Sequence, residues 1–542
     1  MSASPLPNSA SIPHLRKQGD ATQLIVDGEP FLIIGGELHN SSSSSLAYME
    51  PIWERLLALH LNTVLAPVSW ELVEPQEGHF DFALVDGLIH EARRHDLRLV
   101  FLWFGSWKNG MSSYTPAWVK RNHQRFPRAQ IGDGQSVEIM STLGTETRDA
   151  DAKAFAALMR HLCDVDGQEN TVIMVQVENE VGVLRDSRDR SPAANEAFAG
   201  PVPPELVKQL QEHKDELGVD LRQRWEANGF RTEGSWEELF GSSVETDEFF
   251  MAWHYARYID VIVAAGKTEY PLPMFVNAWL SSLGTKGGAA SGGQKPGEWP
   301  SGGPLPHTLD IWQAGAPHVD FLSPDIYQPN YEAWCQAYTR RGNPLFVPEM
   351  RPSEDGARQV FYALGAHDAL GVSPFAIDSV LPSEDNPLVR SYAALRQVAP
   401  DILEHQGKNE IVGFLLSKEQ PTVTRRLSGY ELEITLDRGF FAPCERGCGL
   451  IIATGPAEFL GAGFGFMVRF RSLSSEQEWV GIAASDEGQY RDGTWIPGRR
   501  LNGDETNQGR EWRFFDYQPY RIEMRVTTRS AGVGRCTVYR YR

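Results

Sequence analysis

Two glutamates stand where they could do chemistry. Gln176-Val177-Glu178-Asn179-Glu180-Val181-Gly182 follows directly on the apolar run Thr171-Val172-Ile173-Met174-Val175, and Leu345-Phe346-Val347-Pro348 is closed by Glu349. A short β-branched run that ends in polar side chains reads as a buried strand delivering groups to a site, because a fully buried strand has little other reason to end in acids. Glu178 and Glu180 are two apart, so while the strand persists they share a side and Asn179 takes the other. Carboxylates at two strand ends that face each other could cleave a glycosidic bond. One carboxyl protonates the leaving oxygen while the other attacks or stabilises the anomeric carbon from the opposite face, and a separation of about 5 to 5.5 Å means retention of configuration.

The elements that must position these acids follow from the rhythm of the chain. From Phe31 onward, short β-branched or aromatic runs alternate with segments of helical period, the pattern of parallel strands joined by crossover helices. Eight strands are expected, at 31–36, 62–68, 97–103, 171–177, 273–279, 318–323, 344–349 and 372–377. Helices are expected over 83–95, 247–266, 330–340, 355–369 and 386–399, with a further helical stripe of Ile52, Leu56, Leu57 and Leu59. The fold class is therefore α/β, a (β/α)8 TIM barrel over 31–400 preceded by an N-terminal extension, 1–30. The acids fall on the fourth and seventh strands, which lie nearly opposite in such a barrel. Long insertions, 105–148, 184–246 and 281–306, all follow strands, so they should crowd the C-terminal face and build the pocket. The third, with Gly287-Gly288-Ala289-Ala290-Ser291-Gly292-Gly293, reads as a mobile flap and not as a phosphate cradle, which would open a helix with Lys-Ser or Lys-Thr.

After about Pro400 helical period disappears, and short strands separated by Gly, Pro and Asp turns take over, for example 430–434, 463–470 and 520–526. This predicts an all-β sandwich over 401–542 with a structural or assembly role. The alternative is a carbohydrate-binding module stacking sugars on Trp479, Tyr490 and Trp495.

Composition narrows the partners. A formal net charge of -20 argues against nucleic acid or an anionic membrane and favours a neutral or cationic substrate such as a sugar. Five cysteines, odd in number, do not make a disulfide framework. The polar stretch 1–13 has no apolar signal region and no later run reaches membrane-spanning length, so a soluble chain is expected, cytoplasmic or periplasmic. His39, His79 and His307 lack the spacing of a metal pair; neither metal nor cofactor is expected.

Gly35-Gly36-Glu37-Leu38-His39, Leu61-Asn62-Thr63-Val64, Trp70 with Glu74-Pro75, Gly78-His79-Phe80-Asp81-Phe82 and Gln176-Val177-Glu178-Asn179-Glu180 together resemble the β-galactosidases of glycoside hydrolase family 35, in register from about 31 to 183. The resemblance implies that Glu180 is the acid/base, that Asn179 beside it hydrogen-bonds the sugar 2-hydroxyl, and that Glu349 is the nucleophile of a retaining reaction. It also implies that Tyr327, in Asp325-Ile326-Tyr327, hydrogen-bonds that nucleophile. Glu178 is then left to support the barrel rim. With its β-sandwich tail the chain resembles a divergent bacterial branch of the family, some of whose members act on plant cell-wall galactosides such as xyloglucan side chains.

Two departures bear on specificity. The family's Arg-Pro-Gly-Pro-Tyr stretch and Cys-Ala-Glu after strand three are replaced by Trp103-Phe104-Gly105-Ser106-Trp107-Lys108-Asn109-Gly110, and His39 is followed by Asn40 and serines where an aromatic is usual. From position, Glu37, Trp107, Lys108, Asn109 and Asn277 are the further candidate sugar contacts. The expected activity is a retaining exo-β-galactosidase on oligo- or polysaccharides, with a homodimer left open. The alternatives are a β-glucosidase, β-fucosidase or β-glucuronidase, with Lys108 gripping the uronate, or a non-catalytic sugar-binding barrel.

Overall fold

The computed structural model describes residues 12–132, 134–282, 292–437, 444–474, 478–491, 493–516 and 532–542. Its centre is a closed parallel barrel. Strands Ile33–Glu37, Thr63–Ser69, Arg98–Lys108, Val172–Asn179, Met274–Trp279 and Phe321–Ile326 pair in sequence order. The seventh strand closes the ring in two pieces: Glu349–Met350 pairs with the sixth strand, and Phe346–Val347 pairs with the eighth, Gly371–Val372, which returns to the first. Pro348 sits at the break, where a residue without an N–H costs no ladder bond. Eight barrel strands are present as expected, but the eighth is only Gly371–Val372 and not 372–377: beyond it Phe375 makes an isolated bridge with Glu37 and Ile377 opens a short 3-10 helix. The crossover helices Ala83–Arg94, Val244–Glu269, Tyr331–Tyr338 and Glu354–His367 match their sequence signals, the second starting earlier and ending later. Leu57, counted in the first helical stripe, is instead 39% exposed.

The barrel interior changes character along its axis. Ile33, Leu65, Val100, Leu102, Ile173, Met174, Phe275, Phe321, Phe346 and Leu370 fill the lower part as one buried cluster. Leu24 and Val26 join them from the N-terminal extension, which is a three-stranded antiparallel sheet, His14–Gln18, Ala21–Val26 and Glu29–Phe31, lying against the barrel. Each such apolar side chain contributes about 1.5 to 3 kcal/mol on burial. This packed lower half is what holds the polar upper half in place.

The expected boundary at 400 falls inside the helix Pro387–His405, which runs on past Pro400. Beyond it, a six-stranded and a four-stranded antiparallel sheet form the sandwich around its own core, including Phe414, Leu432, Ile451, Phe466 and Trp512. The stretch 463–470 is not one strand: Gly463 and Gly465 adopt positive φ and separate Glu458–Phe464 from Phe466–Ser472. The strand expected at 520–526 lies outside the described residues. The sandwich is seated on the barrel. Leu450, Ile452, Leu460 and Phe464 belong to the same buried cluster as Phe361 and Leu395 of the barrel helices. At the closest point Gly365 and Gly413 touch backbone to backbone, since a Cβ on Gly413 would come 2.7 Å from the Gly365 carbonyl carbon.

Candidate active site

The fourth barrel strand ends irregularly, and this decides where its acids point. Glu178 and Glu180 adopt φ of 61° and 45°, a left-handed conformation unfavourable for side chains other than Gly, Asn or Asp and typical of functional positions. The strand's alternation is thereby broken, so the expectation that Glu178 and Glu180 share a side while Asn179 faces away is corrected. Asn179 and Glu180 both turn into the barrel mouth; Glu178 turns outward to the third strand, where its two carboxylate oxygens accept from the backbone N–H of Ser106 (3.0 Å) and Trp107 (2.8 Å).

That third strand carries a wide bulge. Trp103 pairs with Val177 and Lys108 with Asn179, and the intervening loop is held by a buried polar cluster. Asp151 accepts from Trp103 Nε1 (2.9 Å) and from Ser106 Oγ (2.6 Å), and Ser106 Oγ meets the Tyr258 hydroxyl (2.9 Å). Burial pushes both the Glu178 and the Asp151 carboxyls up, and the negative charge of Asp151 raises Glu178 further. Gly105 lies in the middle: a Cβ there would stand 2.6 Å from Glu178 Oε1 and 2.8 Å from Asp151 Oδ2. Gly105→Ala is expected to destabilise the protein by about 1 to 3 kcal/mol, because overpacking a rigid, hydrogen-bonded site forces several groups to move. Urea unfolding of the variant against wild type measures it.

The bulge places Lys108 in the mouth. Its Nζ donates to Asn179 Oδ1 (2.7 Å) and lies 5.0 Å from the centre of the Phe104 ring. Burial alone would lower the ammonium's pKa, but Glu349, Glu180, Glu37 and Asp325 outweigh it and raise the pKa. Lys108 is therefore a buried partner of the acids, not a solvated lysine.

Glu349 ends the seventh strand. Its Oε2 accepts from the Tyr327 hydroxyl (2.7 Å), and its Oε1 has a longer contact, 3.4 Å, from Asn179 Nδ2. One oxygen each of Glu180, Asp325 and Glu349 lie within 4.8 Å of one another. Asn277 braces this group from the fifth strand: its Oδ1 accepts from the Glu180 backbone N–H (2.9 Å) and its Nδ2 donates to Asp325 Oδ2 (2.7 Å). At the end of strand one, both oxygens of the fully buried Glu37 are without a hydrogen-bond donor. Burial first, then the facing Glu349 carboxylate, push Glu37 well up and Glu180 up to about 8, against a lowering pull from Lys108. Asp325 is raised well above the usual range by burial and by the charges of Glu349, Glu180 and Glu37.

Glu180, Glu349, Asn179, Tyr327, Glu37 and Lys108 thus meet in one mouth. Three candidate contacts have other roles. Trp107 is fully buried, donates Nε1 to Met140 O and packs edge-on to Tyr255 and Tyr258, so it offers a sugar no face. Asn277 spends both ends of its amide on the protein. Asn109, at φ 46°, is half-buried and ties the bulge to the fourth strand through its backbone N–H to Asn179 O (3.0 Å). Asp325 is the acid that sequence reasoning passed over. Its signal was its position two residues before Tyr327 on a strand end, in register beside Glu349.

The described part of the insertion after strand five is fastened, not free. Ser301 and Val183 exchange backbone hydrogen bonds, and Glu248 accepts from Trp299 Nε1 (2.7 Å) and meets His307 Nε2 (2.7 Å). Residues 283–291, including the Gly287–Ser291 part of the expected flap, lie outside the described residues. In the sandwich, Tyr490 and Trp495 pack on each other, with Arg535 over both rings and the Tyr490 N–H bonded to Gln397 of the last barrel helix. They serve the junction with the barrel, whereas Trp479 is exposed.

A closed eight-stranded β/α barrel with carboxylates meeting across the C-terminal ends of its fourth and seventh strands defines the class of this protein. Within it, residues 23–202 match the model of glycosyl hydrolases family 35, and 388–513 match a domain of unknown function, DUF5597. The family 35 resemblance read from 31 to 183 therefore holds over that segment. The β-galactosidase of Xanthomonas manihotis is 31% identical over 172 residues, which are 30% of this chain and 26% of that protein. The match thus spans about a quarter of that relative's length. Among solved structures, the β-galactosidase of Bacillus circulans sp. alkalophilus aligns with a TM-score of 0.45 and 14% identity over 69% of this chain and 57% of that one. The β-galactosidase of Marinomonas ef1 aligns at 0.44 and 12%, over 68% and 60%. The catalytic domain of β-amylase from Paenibacillus polymyxa aligns at 0.44 and 11%, over 65% and 94%.

Among the described residues, no helix is long and apolar enough to cross a membrane.

Proposed function

We propose that this protein is a retaining, exo-acting β-galactosidase that releases terminal β-D-galactose from oligo- or polysaccharides through a covalent glycosyl-enzyme. The observation that carries the reading is the approach of the Glu180 and Glu349 carboxylates, with oxygens within 4.8 Å. A pair whose nearest oxygens come this close suits direct attack by one carboxylate, the arrangement of retaining enzymes. Glu180, neutral below about 8, gives its proton to the leaving oxygen while Glu349 Oε1 attacks the anomeric carbon. Tyr327 fixes Glu349 Oε2 and so aims Oε1. The long Asn179 contact to Oε1 can be exchanged for one to the sugar 2-hydroxyl, and the unpartnered oxygens of Glu37 are acceptors for further hydroxyls. Glu180 and Glu349 are both buried, a depth that suits a chain end better than the middle of a polymer.

The same electrostatics argue against a uronic acid. Four carboxyls, Glu37, Glu180, Asp325 and Glu349, face one ammonium, Lys108, whose charge they already claim. A sugar carboxylate entering here adds a negative charge beside the Glu349 carboxylate and three buried acids, while Lys108 is already bonded to Asn179, at a cost of several kcal/mol. In a panel of nitrophenyl β-glycosides the galactoside is expected to exceed the glucuronide in kcat/KM by more than about a hundredfold. Proton NMR of the first-formed sugar should show the β anomer. Preferred glucuronide turnover would overturn the substrate assignment, and α-galactose formed first would overturn retention.

A further inference from the structure

Asp325 is a buried acid with an unusual set of neighbours. Asn277 Nδ2 holds its Oδ2, its Oδ1 has no donor, and one of its oxygens lies within 4.8 Å of an oxygen of both Glu180 and Glu349. The groups facing it are Glu180 from the fourth strand, Glu349 from the seventh, Glu37 from the first, Lys108 from the third, and Tyr327 and Tyr338 from the segments after the sixth. The one cation among them, Lys108, is bonded to Asn179, not to Asp325. An ionised Asp325 would stand buried beside two other carboxylates, an arrangement in which one group of the set keeps a proton. Asn277 also accepts from the Glu180 backbone, so one side chain fixes both acids relative to each other.

We propose that Asp325 is a positioning residue that remains protonated through the reaction and donates its proton in a hydrogen bond to Glu180 whenever Glu180 is ionised. This rests on the acid/base reading of Glu180 and deepens it. The proton count closes as follows. In the free enzyme Glu180 and Asp325 each hold one proton. During glycosylation the Glu180 proton goes to the leaving oxygen as its bond to the anomeric carbon breaks and the bond to Glu349 forms. Asp325 then donates to the new Glu180 carboxylate. During deglycosylation water attacks the anomeric carbon, the bond to Glu349 breaks, and the water proton passes to Glu180. Asp325 never gives its proton away. The raised pKa of both acids, caused chiefly by burial, agrees with this arrangement.

Two substitutions separate this role from its rivals. Asp325→Asn keeps a neutral donor in place, whereas Asp325→Ala removes it. Hydrogen bonds to charged groups are worth about 1.5 to 3 kcal/mol, so the alanine variant should lose about 10- to 100-fold in kcat while the asparagine variant stays within about threefold of wild type. Loss of a donor to its charged form should move the Glu180 limb of the pH profile upward by about one unit in Asp325→Ala, and hardly at all in Asp325→Asn. A downward move in both variants would show that Asp325 is an anion, and an unmoved limb in both would show a merely structural role; either overturns the proposal. Infrared difference spectra of wild type minus Asp325→Asn at neutral pH give a readout independent of turnover. The carbonyl stretch of a protonated carboxylic acid is expected, and a carboxylate band in its place overturns the proposal. If wild type hydrolyses no glycoside yet shows the acid band, the functional reading has failed and the protonation of Asp325 has not.

Discussion

Glu349→Gly is expected to lower hydrolysis of an aryl β-galactoside by at least about 10⁴-fold, the scale on which removing a covalent nucleophile acts. The geometry makes the loss specific. Glu349 has little packing to lose: its oxygens meet the Tyr327 hydroxyl and the Asn179 amide, and its strand piece is fixed by pairing with the sixth strand at Asp325↔Glu349. The variant should therefore fold, and far-ultraviolet circular dichroism should match wild type. The space left lies on the face from which Glu349 attacks, and added azide can enter it. Glu180 is untouched and can still protonate an activated leaving group, so azide should restore cleavage and yield the α-galactosyl azide, identified by its anomeric proton coupling. Turnover equal to wild type without azide would remove Glu349 from the mechanism. So would rescue that gives the β-azide.

The sequence carried the barrel well because its information is local and repetitive. Eight apolar runs such as Leu97–Trp103 and Leu345–Val347 are short, β-branched or aromatic, and spaced by helical segments, and seven became strands overlapping their expected bounds, while of the eighth, 372–377, only Gly371–Val372 pairs as strand. Their ends were legible for the same reason, since a carboxylate closing a buried run is conspicuous in one dimension. What failed was side-chain direction where the backbone leaves its regular path. The alternation rule put Glu178 and Glu180 on one side, and two left-handed residues undo it. The bulge in the third strand likewise turns Trp107 into the core, against the expectation of an aromatic at the pocket, while it carries Lys108 into the mouth where a sugar contact was expected. Both errors come from a long-range pairing, Glu178 with the Ser106 and Trp107 amides, that spacing cannot reveal. Asp325 was overlooked because an acid in a Ser-Pro-Asp-Ile-Tyr segment looks like a turn residue until Asn277 and Glu349 are placed beside it.

Glu180→Ala should divide the reaction into its two halves. The wild-type carboxyl is raised to about 8 by burial and by the facing Glu349 charge, so it is a proton donor at neutral pH and kcat/KM should fall as pH rises through about 8. Once Glu349 is esterified its charge is gone, the second of those causes disappears, and the Glu180 pKa drops; the same group is then ionised and able to activate water. Without Glu180, substrates with poor leaving groups should lose about 10² to 10⁴-fold. An aryl galactoside with an acidic leaving group should still form the glycosyl-enzyme and then stall, giving a burst of one equivalent. Azide, which needs no general base, should release the intermediate as the β-galactosyl azide, the opposite anomer to that from Glu349→Gly. The alkaline limb near 8 should vanish with the residue. Stability should move the other way. A carboxyl whose folded pKa lies above its unfolded value supports the fold fully below about 4.5 and loses that support as pH rises towards 8. Glu180→Ala is therefore expected to melt higher than wild type at pH 8 and above, the mark of a charged group held in a buried site for its chemistry and not for the fold. An alkaline limb that survives the substitution would mean that another group donates the proton, and a melting temperature below wild type at that pH would mean that Glu180 carries no ionisation cost in the fold.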